Sequence, residues 1–198
     1  LCAVYLARFC PPKIYKYLKP AVDLLAGIPS IVYGFFGLVV IVPMMRDLFG
    51  GNGKSVLTAS ILLGIMILPT LISVGESSIR AVPESYYEGA LALGATPEEA
   101  MFKVMLPAAK SGVTAGIILA IDRSIGEAMA VSMVAGNQPV IPESLLSGVR
   151  TLTSNIVLEM GYATDMHRAA LLATGVVLFV FILLINLTFS LLRKKEDK

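Results

Sequence analysis

Glu88-Gly89-Ala90-Leu91-Ala92-Leu93-Gly94 is followed, nine residues later, by Val104-Met105-Leu106-Pro107. The stretch lies in a polar loop, residues 76–107, between two apolar segments too long for the core of a soluble domain. Its punctuation is that of two short helices. Pro83-Glu84 suits a helix start, with the Glu84 carboxylate near the positive end of the dipole. Gly94 is a good C-terminal stop. Thr96 and Glu99 have capping-box spacing around Pro97, which fits a first helical position. Leu106-Pro107 then ends or kinks the second helix. Glu88, Gly89, Ala90 and Gly94 therefore ride on a short helix and its turn, projecting from an apolar body.

The apolar segments decide what that body is. Residues 24–45, 55–75 and 169–192 contain no Asp, Glu, Lys, Arg or His. Each is near or above the roughly 20 residues a helix needs to cross the hydrocarbon core. A fourth stretch, residues 108–135, is interrupted in its second half by Asp122, Arg123 and Glu127. Charged residues make up 15% of the chain, against about 25% in ordinary soluble domains. Mean hydropathy is +0.80. The expected fold is an all-α membrane protein, one domain over residues 1–198. It has about four full spans, preceded by the end of another helix at residues 1–9. Leu1 is not Met, and its apolar run is already under way, so the N-terminus reads as incomplete. A signal peptide is disfavoured, because the positive charges follow the run and no small-residue cleavage site is evident.

The net charge of +2 is too small to point to nucleic acid, but its placement orients the chain. Arg8, Lys13, Lys16 and Lys19 precede the first full span; Arg193, Lys194, Lys195 and Lys198 follow the last. Positive clusters mark the cytoplasmic side, and four spans between them put both on that side. Residues 76–103 are then inside, and residues 46–54 and 136–168 outside. In the outer segment, residues 151–161 read as a short amphipathic helix capped by Thr153 and stopped at Gly161. Within the first span, Gly27-Ile28-Pro29-Ser30 is a patch for a kink or close helix contact.

Arg123 and Glu127 are the sharpest feature inside the membrane. A charge at the bilayer centre costs from about 2.5 to over 10 kcal/mol, so such groups persist when paired or facing water. Four residues apart, they are expected on one helical face. Two readings stand: an internal salt bridge that locks two helices, or a polar path in which Arg123 meets an anion and Glu127 restrains or releases it. Arginine is the natural donor fork for phosphate-type oxyanions. Asp122 points elsewhere on that helix.

Other constellations carry less. Gly50-Gly51-Asn52-Gly53-Lys54-Ser55 ends like a phosphate-cradling loop, but Leu48 stands where the motif needs its first Gly. His167 is the only histidine, and Cys2 and Cys10 the only cysteines. They give neither a metal site nor a disulfide framework. Asn186-Leu187-Thr188 matches a glycosylation pattern inside an apolar span, where it means nothing. No Ser-His-Asp arrangement appears, so no catalytic residue, resident cofactor or metal is expected.

The spacing from Glu88 to Pro107 resembles the EAA signature of permease subunits of ABC importers, with Gly89 in place of an Ala and Val104 in place of an Ile. In that family the loop docks on an ATPase, giving Glu88, Gly89, Ala90, Gly94, Leu106 and Pro107 a coupling role. Further runs narrow the resemblance. They are residues 25–34, residues 90–96, Arg123-Ser124-Ile125-Gly126-Glu127-Ala128-Met129-Ala130-Val131, residues 133–137, and Thr151-Leu152-Thr153 with Glu159-Met160. From about Pro20 onward the chain resembles the permease of the phosphate ABC importer, of the PstC-like kind, with a type I importer (MetI-like) helical bundle.

The resemblance implies a transport subunit that is not itself an enzyme, and import of inorganic phosphate across a bacterial or archaeal inner membrane. Its partners would be a second permease (PstA-like), ATPase subunits (PstB-like) that bind the ATP, and an extracytoplasmic phosphate-binding protein (PstS-like). Arg123 and Glu127 match the family's Arg and Glu in the phosphate path. Asp122 stands where the family usually has a small residue, and Ala128 where Thr is common. A permease for molybdate or sulfate is the alternative within the class. Outside it, an ion-coupled secondary carrier would have no use for the 76–107 loop, and a scaffold no use for the intramembrane charges.

Overall fold

The structure, a computed structural model, describes residues 1–196, with side chains as far as Leu191. The basic tail formed by Arg193, Lys194, Lys195 and Lys198 lies outside the described side chains. Ten helices are named here: α1 (residues 2–9), α2 (Pro12–Ala26), α3 (Ser30–Phe49), α4 (Val56–Arg80), α5 (Glu84–Ala92), α6 (Pro97–Ala108), α7 (Lys110–Gly126), α8 (Met129–Val134), α9 (Leu152–Glu159) and α10 (Asp165–Glu196). The described residues contain no strand, only an isolated bridge between Gly136 and Val149.

Three helices are long and apolar enough to cross a membrane: α3, α4 and α10. The pair α6 and α7, bent by 68° at the break between them, makes a fourth if counted as one broken span. The all-α expectation of about four spans agrees with this. Hydroxyls on these helices bond back to carbonyls one turn earlier, as Ser60 does to Val56, Thr174 to Ala170 and Thr188 to Leu184. Such back-bonding satisfies a polar group without water. On α10, Val176, Val177, Phe179 and Leu187 are all more than half exposed. Leucine- and valine-rich faces of that kind are at home in lipid.

The residues form two compact units. The first comprises Leu1–Gly27, Leu68–Ile121 and the chain from Phe189. Its core joins Val4, Ile79, Tyr87, Ala90, Ala100, Met101, Met105 and Ala109. Here α7 lies close on α4 through Gly112 and Gly116. A Cβ on Gly116 would meet Val74 Cγ1 at 2.8 Å, and one on Gly112 would meet Ser78 Oγ at 2.7 Å. Small residues four apart allow this approach of two membrane helices.

The second unit comprises Ile28–Ile67 and Asp122–Thr188. Its core includes Tyr33, Ile41, Met45, Leu62, Met66, Ala130 and Val134. Gly34 lies under α8, where a Cβ would stand 2.9 Å from Ala130 Cα.

Three boundaries differ from the sequence expectation. The first span does not run from residue 24. α2 ends at Ala26 with Gly27 as its cap, and Pro29 is extended (ψ 141°), so α3 starts at Ser30. Pro29 has no N–H to continue a ladder and forces Ile28 away from the helical region. The bend between α6 and α7 falls at Ala109, two residues beyond Pro107, which sits in the last turn of α6. The stretch 108–135 is not one helix either: α7 stops at Gly126 and α8 begins at Met129.

Candidate functional site

Two places hold the residues singled out by sequence. In the first unit, α5 and α6 form a hairpin. Pro83 opens α5 in extended conformation, Gly94 closes it at φ +90°, and the Thr96–Glu99 capping box starts α6. The box is complete: Glu99 N donates to Thr96 Oγ1 and Thr96 N to Glu99 Oε2, each at 3.2 Å. Glu88, Gly89, Gly94 and Pro107 are exposed, Leu106 is half-buried, and Ala90 is buried in the core with Tyr87. α5 thus anchors one face and presents Glu88 and Gly89 on the other. A Cβ on Gly89 would meet nothing.

The hairpin is fastened from α1. Arg8 donates to Glu84 from both Nη1 (3.0 Å) and Nη2 (2.5 Å), and its guanidinium lies 3.8 Å from the Tyr87 ring centroid. The Glu84 hydrogen bonds raise the Arg8 pKa above its ordinary value. Both partners are partly exposed, so the pair adds no more than about 1 kcal/mol to stability, while its bidentate geometry fixes direction.

Behind the hairpin sits a second charged cluster. Glu76, assigned to the loop by its charge, is on α4 and only 2% exposed. Its carboxylate accepts from Tyr15 at 2.9 Å, pairs with Lys19 at 3.1 Å, and pairs with Arg80. Arg80 also donates to the Leu6 carbonyl at 2.9 Å. Lys19 bridges to Asp23 at 3.0 Å, and Asp23 accepts from Ser73 at 2.8 Å. The Ser73 hydroxyl and then Lys19 hold the Asp23 carboxyl below its ordinary value. Burial depresses Lys19, but its bonds to Asp23 and Glu76 outweigh that and leave it raised. Glu76 and Arg80 stand four apart on one helix, which was the available signal; the contribution of Tyr15 and Lys19 had none.

In the second unit, Arg123 lies in the last turn of α7, half-buried and engaged in an interaction of its own. Glu127 was expected on the same helical face. It instead falls past the end of α7, because the helix breaks at Glu127 and Ala128. Its Oε1 accepts from Ala130 N at 3.0 Å, capping α8. The break frees the Glu127 carbonyl, while that of Ala128 accepts from Ser132 N at 2.9 Å as α8 begins, and α9 donates to both. Thr153 Oγ1 donates to the Glu127 carbonyl at 3.0 Å, and Ser154 Oγ to that of Ala128 at 3.4 Å. Thr153 does not cap α9, as its sequence position had indicated; Thr151 does, accepting from Ser154 N at 3.2 Å. Arg150 steadies α9 through Glu159 at 2.8 Å and the Asn137 carbonyl at 3.0 Å.

Glu127 faces a cavity of about 230 Å³, with Ser60, Ser124, Thr151 and Thr153 also on its wall. Asp122 holds a buried Oδ1 without a hydrogen-bond partner. His167 is exposed. Among the described residues no cluster of His, Cys, Asp and Glu is arranged to hold a metal.

The family described as "Binding-protein-dependent transport system inner membrane component" matches residues 1–198. The chain belongs to this family. With three helices long and apolar enough to cross a membrane, it is a multi-pass membrane member of that family. The "Probable ABC transporter permease protein YqgH" of Bacillus subtilis (strain 168) is 42% identical over 93% of this chain and 62% of that protein. The "Phosphate transport system permease protein PstC" of Xylella fastidiosa (strain Temecula1 / ATCC 700964) is 37% identical over 96% of this chain and 66% of that protein. The PstC of Pasteurella multocida (strain Pm70) is 34% identical over 99% and 69%. The chain thus spans about two thirds of the length of these relatives. A solved structure described as "Inward facing conformations of the MetNI methionine ABC transporter" superposes with a TM-score of 0.77 at 19% identity, covering 100% of this chain and 85% of that one. That likeness shows the fold: a MetI-like permease bundle.

Proposed function

We propose that this permease is the C-type (PstC-like) subunit of an ATP-driven importer that carries inorganic phosphate inward across the inner membrane. Residues 1–198 act as one transmembrane domain. Residues 76–107 are its coupling loop, facing the cytoplasm as the C-terminus does. ATP is bound and hydrolysed by separate ATPase subunits (PstB-like), so this chain holds no cofactor and no catalytic residue. A second permease (PstA-like) completes the pathway, and an extracytoplasmic binding protein (PstS-like) delivers phosphate. Two PstC relatives above 30% identity over nearly the whole chain support the substrate.

The observation that carries the coupling is the α5–α6 hairpin. One face is anchored through Tyr87 and Ala90 while Glu88 and Gly89 stand clear, in the arrangement of a docking element. At the helix break, Arg123 supplies the positive charge for an anion, and Glu127 sets the exit. Phosphate oxyanions take bidentate donation from a guanidinium.

The test uses the full-length subunit in its complex. Glu88→Ala should leave the complex assembled and ATP hydrolysis running, while phosphate uptake per ATP falls. Normal coupling in that variant sinks the docking role.

A further inference from the structure

The coupling loop does not end at the hairpin. Arg8, Lys19, Asp23, Glu76 and Arg80 are all engaged behind it, and their contacts run from helix to helix. Arg8 holds Glu84 with two hydrogen bonds and covers Tyr87, so α5 is tied to α1. Arg80 donates to the Leu6 carbonyl, so α1 is tied to α4. Glu76, almost fully buried, binds Arg80 on its own helix and Lys19 and Tyr15 on α2, so α4 is tied to α2. Arg80 also stacks on Tyr15, 4.6 Å from its ring centroid. Lys19 and Asp23 share the Ser73 hydroxyl, closing the circuit between α2 and α4.

We propose that Arg8 and Glu76 are positioning residues for energy coupling. They fasten the docking hairpin to α1, α4 and α2, so that displacement of the hairpin is carried into α2 as a rigid movement. This rests on the coupling reading of the hairpin. The argument is one of reach and stiffness. A hairpin held by apolar contacts alone can slide, because such contacts are non-directional. A bidentate guanidinium–carboxylate pair cannot slide without breaking both bonds. A buried carboxylate with three partners is equally intolerant, since moving one partner leaves charge unmatched in a poorly solvated place. α2 is the helix that leads, through residues 27–29, into the span α3. The charge contacts thus reach α2, and the chain alone continues from there into α3.

The test measures phosphate transported per ATP hydrolysed by the complete complex in proteoliposomes. Arg8→Glu and Glu84→Arg singly should each lower that ratio about fivefold or more, with the ATPase still bound and hydrolysing. The exchanged pair, Arg8→Glu with Glu84→Arg, should restore at least half of it. A purely structural contact would lower assembly and transport together and leave the ratio unchanged. Glu76→Gln should lower the ratio in the same way. If it fails to assemble, Glu84→Gln decides, since that side chain is half exposed and its loss does not threaten the fold. A parental ratio in Glu84→Gln, or no recovery in an assembled exchanged pair, overturns the proposal. Absence of ATP-driven phosphate uptake in the parent complex would instead count against the proposed function.

Discussion

The hydroxyl of Thr153 donates to the backbone carbonyl of Glu127 at 3.0 Å, across 26 residues of chain. The bond holds open the break at which α7 stops and the Glu127 carboxylate turns to cap α8. Thr153→Val keeps the shape and removes the donor. Leaving that carbonyl unsatisfied should cost about 1–3 kcal/mol, read as a lowered melting temperature of the detergent-solubilised complex, and should slow phosphate uptake. Thr153→Ser keeps the donor and should retain both.

Gly89 and Gly94 are predicted to respond oppositely to alanine. Gly89 is helical with open space around it, so Gly89→Ala should be neutral or stabilising by up to about 1 kcal/mol. Gly94 is at φ +90°, so Gly94→Ala should destabilise the hairpin by about 1–2 kcal/mol. Hydrogen exchange of residues 84–100, with co-purification of the ATPase, reads both.

Gly116→Leu should be among the most damaging changes in the first unit. Even a Cβ there meets Val74 at 2.8 Å, and a larger side chain would have to part α7 from α4. Overpacking of that kind costs about 1–3 kcal/mol or more. Gly64→Ala, with nothing near its Cβ, is the control. Thermal unfolding of the two variants should separate them.

Asp23 predicts an acid limb. Its carboxyl is held below the ordinary value of 3.8 by Ser73 and Lys19. A depressed carboxylate adds stability that is present above its unfolded value and disappears as pH falls through its folded one. Asp23→Asn should therefore be less stable than the parent at pH 7. The difference should shrink as pH is lowered below about 4. A constant difference down to acid would remove Asp23 from the network.

Much of the hairpin was legible in the sequence. Pro83, Gly94, Thr96, Pro97 and Glu99 each act through local backbone chemistry, and their positions in the structure match. The spans were legible as apolar runs, but their ends were not. Proline and charge mislead in opposite ways there. Pro20 is carried inside α2 and Pro69 inside α4, whereas Pro29 breaks the chain. Glu76 is charged yet helical and buried, because Tyr15, Lys19 and Arg80 surround it. The break at Glu127 was hidden for a related reason. The four-residue spacing from Arg123 assumes an unbroken helix, and the hydroxyls that stabilise the interruption lie on α9, far along the chain.

The measurement closest to the central claim is uptake of labelled phosphate at low concentration by cells lacking their own high-affinity phosphate permease. They would carry the full-length subunit with its partner subunits, tested with and without excess sulfate or molybdate. The account predicts ATP-dependent phosphate uptake indifferent to both competitors and abolished by Arg123→Ala with the ATPase still bound. An assembled complex that takes up no phosphate, or whose Arg123→Ala variant transports normally, would contradict it.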